Sequence, residues 1–438
     1  MARTRALGEQ AGRATVAKAR CPSCLTRDRL CRWKVAVESR WFATAASNLG
    51  DGLTLCAMPV LAAEFTRDPL TIAGIGMFTP LAKIIVSLGG GALVDRGDRR
   101  RLMIGADLAR LVAIGGFTAL VASDEVSFPV VYVVVFLLGI GEFIYDTSAM
   151  AVVRDVVPPQ RLTGANGWLY AVEDGAQDLA APPLGALLFA ATVWLPFAVD
   201  ATSFALSAVL LLSLRGRFRA EHPEPRTTVR SELQEGFRFA FRHPFFRSAA
   251  VVWVTLGFTL GATLATLVLF VKETLDAGEL GYAAIITTGA VGIVLGNLFI
   301  ARLERRLRPS GVRVGSIALS GVVLIATGAA SALAVAAVAQ TVWGIGFSLA
   351  NTQMVSIRQR LVPDALLGRV TGAFGLLSAL GMVIGALTGG VLTDGGGPRV
   401  PILFAGVVTV VVGLLWWVLL STYRDMDLTS AHVEDPAG

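Results

Sequence analysis

Only three histidines occur in the chain, His222, His243 and His432, and none falls in a long apolar run. The patterns HExxH and GxxxxGK[ST] are both missing. The first absence removes the usual helical zinc-hydrolase site, and the second removes the phosphate-cradling loop through which ATP would drive work. Cysteine is scarce: Cys21, Cys24 and Cys31 lie near the N-terminus and Cys56 in the first apolar segment. Cys21-x-x-Cys24 lacks the second pair or nearby histidine that a zinc site needs, so no metal is expected. Charge is sparse as well: 16% of the 438 residues are charged and 54% are hydrophobic. A soluble domain of that composition would expose apolar surface and aggregate. The ten-residue alternation of an outer-membrane barrel is absent too.

What remains is a series of apolar stretches long enough to cross a bilayer, which takes about 20 residues as a helix. Twelve spans are expected, at 41–63, 71–93, 101–122, 129–151, 166–190, 194–214, 249–271, 280–301, 313–333, 335–357, 370–392 and 399–420. Thirty-three of the 38 Lys and Arg residues then fall in the termini and in the loops on one side. Arg67, Lys272 and Arg399 fall on the other side, and Lys83 and Arg110 within spans. Basic residues collect on the cytoplasmic side, so both termini are expected there, in a multi-pass protein of the cell membrane. The basic balance of +6 therefore reads as topology. Its charges are dispersed over loops, and no nucleic-acid partner is expected. Residues 1–40 are basic without a continuous apolar core, which fits a disordered extension and no signal peptide.

Residues 215–248 separate the spans into halves, 41–214 and 249–420, with a tail at 421–438. Within that central loop Phe237, Phe241 and Phe245 recur at i, i+4 and i+8, the pattern of a helix lying on the membrane surface. An internal repeat relates the halves. Residues 138–162 align without gaps to residues 343–367, so that Gly139-Ile140-Gly141 meets Gly344-Ile345-Gly346, and Val157-Pro158 meets Val362-Pro363. Two parallel six-helix halves with a ligand site between them at mid-membrane is a transporter plan. Gly381, Gly385 and Gly389 in the eleventh span, and Gly292 and Gly296 in the eighth, form small-residue stripes for close helix packing. Trp416 and Trp417 suit an interfacial belt.

The polar gap after the second span reads GALVDRGDRRRL, Gly91–Leu102. It resembles GxLaDRxGRRxxL, the loop between helices 2 and 3 of the major facilitator superfamily. Asp98 stands where that family usually has Gly. The form DRxDRRR is similar to the branch that includes macrolide-efflux proteins and enterobactin exporters. SNLGDGL in the first span, Asp107-x-x-Arg110 in the third and FAVDATSFALSAVLL in the sixth agree with that branch, so the likeness covers about residues 40–420. It implies an all-α fold of twelve transmembrane helices in two pseudo-symmetric halves. It also implies a conformational latch, in which Gly91, Asp95, Arg96, Arg99 and Arg100 hold the N-terminal half against the start of the eleventh span, near Arg369. Drug/proton antiporters of the family carry an Arg in helix 4 where this chain has Val135. Their helix-5 GPxxGG is matched only in part by Ala181–Ala186.

Ionisable side chains inside a bilayer are costly and mark function. Asp51, Lys83, Asp107, Arg110, Glu142, Asp146, Glu173, Asp174, Asp178 and Asp200 all fall in the first six spans. The later spans offer mainly neutral polar groups: Asn297, Gln340, Asn351 and Gln353. In the repeat, Asp146 meets Asn351. One half is thus expected to carry protons while the other shapes the pocket. An apolar cavity favours the neutral form of a carboxylate, which lets it load and release a proton. Asp51 leads, with Asn48 one turn away; Glu142 and Asp146 share a face at i, i+4. Arg110 and Lys83 are the expected partners of these carboxylates, while Asp107–Arg110, at i, i+3, and Asp200 read as structural. Asn48, Tyr145, Phe347, Asn351 and Gln353 are expected to line the substrate cavity. Aromatic rings beside carboxylates suit an amphiphilic small molecule. The expected activity is secondary active efflux of such a molecule in exchange for protons, by a monomer without cofactor. An importer or uniporter of the same fold, or a receptor that transports nothing, stays open on sequence grounds.

Overall fold

The computed structural model describes residues 22–89, 97–156, 175–213, 229–306 and 309–421. Among them there is no strand. Helices α1 (Pro22–Phe65), α2 (Pro69–Gly89), α3 (Arg99–Ala122), α4 (Phe128–Val156), α5 (Ala181–Ala191) and α6 (Leu195–Ser213) form the first half. Then comes α7 (Val229–Arg242), followed by α8 (Pro244–Leu269), α9 (Glu279–Arg306), α10 (Pro309–Ala329), α11 (Leu333–Leu361), α12 (Asp364–Gly396) and α13 (Arg399–Ser421). A π-helical turn, Gly175–Ala180, leads into α5, and another, Phe270–Thr274, extends α8.

Nine helices among the described residues are long and apolar enough to cross a membrane. The three further expected spans fall short there for separate reasons. In α1 the apolar run is broken by Ser47, Asn48, Asp51 and Thr54. Only 11 residues of α5 are described as α-helix, and the apolar part of α10 is Gly315–Ala329. Helix α1 begins at Pro22, well ahead of position 41, because no Gly or further Pro interrupts 23–49 and Pro22 suits a first helical position. The tail beyond Ser421 lies outside the described residues.

Helix ends follow local chemistry. Asp68 accepts from the Leu70 and Thr71 amides at 3.3 and 3.1 Å and from the Thr71 hydroxyl, so it caps the start of α2. The Thr71 hydroxyl and these amides hold the Asp68 carboxyl below its ordinary range. Asp98 does the same for α3, accepting from the Arg100 and Arg101 amides at 3.1 and 3.3 Å.

The two halves repeat the same neighbour relations. In the first half α1 packs on α5 and α6, α3 on α4 and α6, and α2 on α4. In the second, α8 packs on α12 and α13, α10 on α11 and α13, and α9 on α11. Between halves, α2 meets α8 and α12, and α5 meets α9. The glycine stripes are where backbones touch. A methyl group on Gly381 or Gly385 would run into the Val254 or Phe258 carbonyl of α8, and one on Gly257 or Gly261 into the Ser378 or Met382 carbonyl of α12. Gly292 of α9 presses on the Thr341 carbonyl of α11 in the same way.

The surface stripe ends sooner than its spacing suggests. His243-Pro244 breaks the helix, because Pro cannot continue it. Phe237 and Phe241 stack on one another at 6.1 Å with Phe241 half exposed, while Phe245 opens α8 and is buried at 2%. Gly236 of α7 lies against the Arg369 carbonyl, and Arg369 Nη1 donates to Glu235 Oε2 at 2.5 Å, so α7 is docked on the start of α12. The tryptophan belt also divides. Trp417 is exposed, but Trp416 is buried, with Nε1 donating to Ser248 Oγ at 3.1 Å.

Candidate functional site

A cavity of about 430 Å³ lies between the halves, within the usual size range for small-molecule sites. Its first-half wall includes Asp51, Thr79, Lys83, Glu142 and Gln177. Its second-half wall includes Thr263, Tyr282, Gln340, Trp343 and Phe347. Leu55, Met58, Ile75, Val135, Ile286 and Ile293 fill much of the remainder. Asp51, Lys83 and Glu142 each stand 14 residues from the same end of the bundle, set by Phe65, Pro69 and Phe128. At 1.5 Å per residue that places them at one depth, roughly 21 Å in.

Two ion pairs face this space. Lys83 Nζ donates to Glu142 Oε1 at 2.9 Å, with both side chains partly exposed. Asp146, one turn along α4, contributes to the field at Lys83. Arg110 Nη1 donates to Asp51 Oδ2 at 2.9 Å, and Arg110 Nη2 to Asp107 Oδ1 at 2.6 Å and Ser47 Oγ at 3.2 Å. Asp107 is fully buried, and its other oxygen accepts from Ser207 Oγ at 2.6 Å. The guanidinium lies over the Tyr145 ring at 5.1 Å and the Phe204 ring at 4.3 Å, contacts that favour a cation. Gly141 makes room for it: a methyl there would stand 2.6 Å from Arg110 Cγ. Arg110 is thus clamped by rings, by Asp107 and by a bare stretch of α4, with Asp51 as its contact on the cavity side. Asp107 anchors the arginine from the buried side, and Asp51 is the member of the network that borders the cavity.

The remaining sequence expectations fall in several places. Phe347 lines the cavity and stacks on Trp343 at 5.2 Å. Asn48, Tyr145, Asn351 and Gln353 are not among its lining residues. Asn48 turns its amide back to the Thr44 carbonyl at 2.9 Å. Tyr145 is buried behind Arg110, its hydroxyl 3.5 Å from both Thr44 and Ser207. Gln353 is buried with neither side-chain oxygen nor nitrogen hydrogen bonded, and Asn351 is half-buried on α11. Asp200 is fully buried and accepts from Thr54 Oγ1 at 2.5 Å, joining α6 to α1 just beside the Asp51 turn. Gly91, Asp95 and Arg96, with Glu173 and Asp174, lie outside the described residues, and nothing is described of the Asp178 side chain. Of the basic cluster, Arg100 donates to the Leu211 and Leu212 carbonyls at 2.8 and 2.7 Å, capping the end of α6. Arg99 lies in the first turn of α3, and Arg369 is engaged with Glu235.

Sequence reasoning missed Ser47 and Ser207, which complete the Arg110–Asp107 site, and Trp343, Thr263 and Tyr282 on the far wall. Small hydroxyls at one-turn spacing beside the charges, Ser47 to Asp51 and Ser203 to Ser207, were the available signal.

The sequence model of the Major Facilitator Superfamily matches residues 40–386 and 263–435. The multidrug efflux pump Tap of Mycolicibacterium fortuitum is 24% identical over 404 residues, covering 89% of this chain and 96% of the relative. Macrolide efflux protein A of Streptococcus pyogenes is 22% identical over 408 residues, covering 90% and 98%. Among solved structures, a bacterial homologue of the iron transporter ferroportin in an inward-facing state superposes with a TM-score of 0.68 at 19% identity, covering 89% of this chain and 99% of that one. A bacterial homologue of the lysosomal transporter Spinster gives 0.69 at 13% identity, covering 91% and 98%. These two likenesses concern the fold. Matched along nearly its whole length, the chain belongs to the Major Facilitator Superfamily, a family of membrane transporters and not of enzymes.

Proposed function

We propose that the chain exports an amphiphilic small molecule from the cytoplasm in exchange for protons, with twelve spans and both termini on the cytoplasmic side of the cell membrane. The observation that carries this reading is the pairing of Asp51 with Arg110 and of Glu142 with Lys83 at one depth in a mainly apolar cavity. A proton arriving on Asp51 removes the charge that holds Arg110 Nη1, while Asp107 keeps the guanidinium in place. A cationic or strongly polar ligand can take the same carboxylate from the other side. Proton and ligand then compete for one group, which is the requirement for exchange. Trp343 and Phe347 offer a flat apolar surface to the body of the ligand. The similarity to relatives named for multidrug and macrolide efflux supports export of such molecules. The loop residues Gly91, Asp95, Arg96, Arg99 and Arg100, together with Arg369, act as the latch between halves in the same reading, and the chain works as a monomer.

Inverted membrane vesicles with an acidic interior test the exchange. Lipophilic cations, macrolides and siderophores are added in turn, and proton release is followed together with uptake of the labelled compound. The parent is expected to release protons with at least one compound, and Asp51→Asn is expected to lose that release. Uptake without proton movement, or an Asp51→Asn variant that behaves as the parent, would overturn the coupling.

A further inference from the structure

At the end of the bundle remote from α7, the two halves are joined by charge. Lys272, in the π turn that extends α8, places Nζ 2.5 Å from Glu64 Oε1 at the end of α1, and 3.3 Å from Glu279 Oε1 at the start of α9. Glu64 belongs to the first half; Lys272 and Glu279 belong to the second. Beneath this triad the seam is apolar and tightly closed. Leu267, Val268, Phe270 and Val271 are at most 1% exposed and share one apolar cluster with Ala57, Leu61 and Ile72 of the first half. Small residues close the adjoining seam, where Ala73 of α2 packs with Ala265 of α8 and Ala386 of α12. The cavity is therefore roofed at this end, and the ion triad sits on the roof.

From this geometry we infer that Glu64, Lys272 and Glu279 form a two-position ion-pair switch that holds the outer end of the transporter shut. The inference rests on the orientation proposed above, which puts this end outside. When the halves part here, Glu64 leaves with the first half, and Lys272 stays with Glu279. The second carboxylate is what makes the arrangement a switch. It keeps the lysine paired in the open state, so opening costs only the Glu64 contact and strands no cation on Lys272. Partly exposed pairs of this kind are weak, so each bias is small, and a weak bias suits a gate that must open in every cycle. A change at Glu64 removes a contact found only in the closed state and favours opening. A change at Glu279 removes the contact that serves the open state and favours closure.

The test is outside labelling of a cysteine placed under the roof. Ile75 is 5% exposed and lines the cavity. In Ile75→Cys the rate of reaction with a membrane-impermeant thiol reagent, applied to intact cells, follows outer opening, and the parent's own cysteines give the background. Glu64→Gln is expected to raise that rate about two- to fivefold, and Glu279→Gln to lower it by a similar factor. Lys272→Glu raises it further, and the charge swap Glu64→Lys with Lys272→Glu brings it back toward the parent. Equal rates across the set, a common direction for Glu64→Gln and Glu279→Gln, or a swap that fails to restore the rate would each overturn the switch. Ser123→Cys, in the turn between α3 and α4, separates this failure from that of the orientation. Labelling of Ser123→Cys with unchanged Ile75→Cys rates sinks the switch alone, while no labelling of Ser123→Cys sinks the orientation and the outer assignment with it.

Discussion

Gly141 and Gly346 occupy matching places in the repeat, and each leaves space for a neighbouring helix. Against Gly141 lies the stem of Arg110; against Gly346 lies Ser320 Oγ, where a methyl would stand 2.6 Å away. One packing plan thus holds a charged site in the first half and a hydroxyl in the second. Elsewhere the contrast continues. Asp51, Arg110 and Asp107 bind the first half together. In the second, Asn297 Oδ1 accepts from Ser348 Oγ at 2.6 Å and Thr352 Oγ1 at 3.0 Å, and Thr259 meets Thr409 at 2.8 Å. Neutral bonds tolerate loss of a partner far better than a buried charge does. The two halves thus share their helix contacts while differing in the polar chemistry placed on them.

Four substitutions break or sharpen this contrast. Arg110→Ala has the largest expected effect, because it leaves Asp107 buried without its cation and frees Asp51. Breaking a buried pair costs about 3–5 kcal/mol, so thermal unfolding of the purified protein in detergent should come many degrees earlier, with transport abolished. Next come the paired methyl insertions. Gly141→Ala and Gly346→Ala should each destabilise by about 1–3 kcal/mol through overpacking. Only Gly141→Ala should also remove substrate-dependent proton release, since it displaces a guanidinium where Gly346→Ala displaces a hydroxyl. Equal loss of proton release in both would erase the distinction between halves. Asp98→Ala is the smallest, removing the α3 cap at a cost of about 1 kcal/mol. It should lower the unfolding temperature slightly and leave ligand dependence unchanged.

Hydropathy and spacing carried most of the fold, because a bilayer demands long apolar helices and the repeat leaves a direct imprint in Gly139–Gly141 and Gly344–Gly346. The charged positions were legible for the same reason, since Asp51, Lys83, Arg110 and Glu142 interrupt apolar runs. Their partners followed from charge balance, but the direction of each side chain did not. Asn48 and Tyr145 lie within a turn of key carboxylates, yet one bonds its own helix and the other backs Arg110. Sequence spacing gives the face of a helix without saying which neighbour that face meets. Arg358 shows the limit at helix ends. By position it reads as a loop charge, but α11 continues to Leu361 and buries it over Trp253 and Phe374, at 5.5 and 5.9 Å. Asp98, which departs from the family pattern at a usual glycine, gains a plain reason in its capping of α3.

The meshing of α8 with α12 has a consequence for how this chain can diversify. Gly261 and Met382 both border the cavity, and each is pinned where the two backbones touch. At Gly261 drift is closed off, since any larger residue there would prise the helices apart. Adaptation to a new compound is therefore steered away from this point toward positions where a side chain borders the space, such as Ile286, Ile293, Trp343 and Phe347. Variants selected for an altered range of compounds should gather at such positions and spare Gly261.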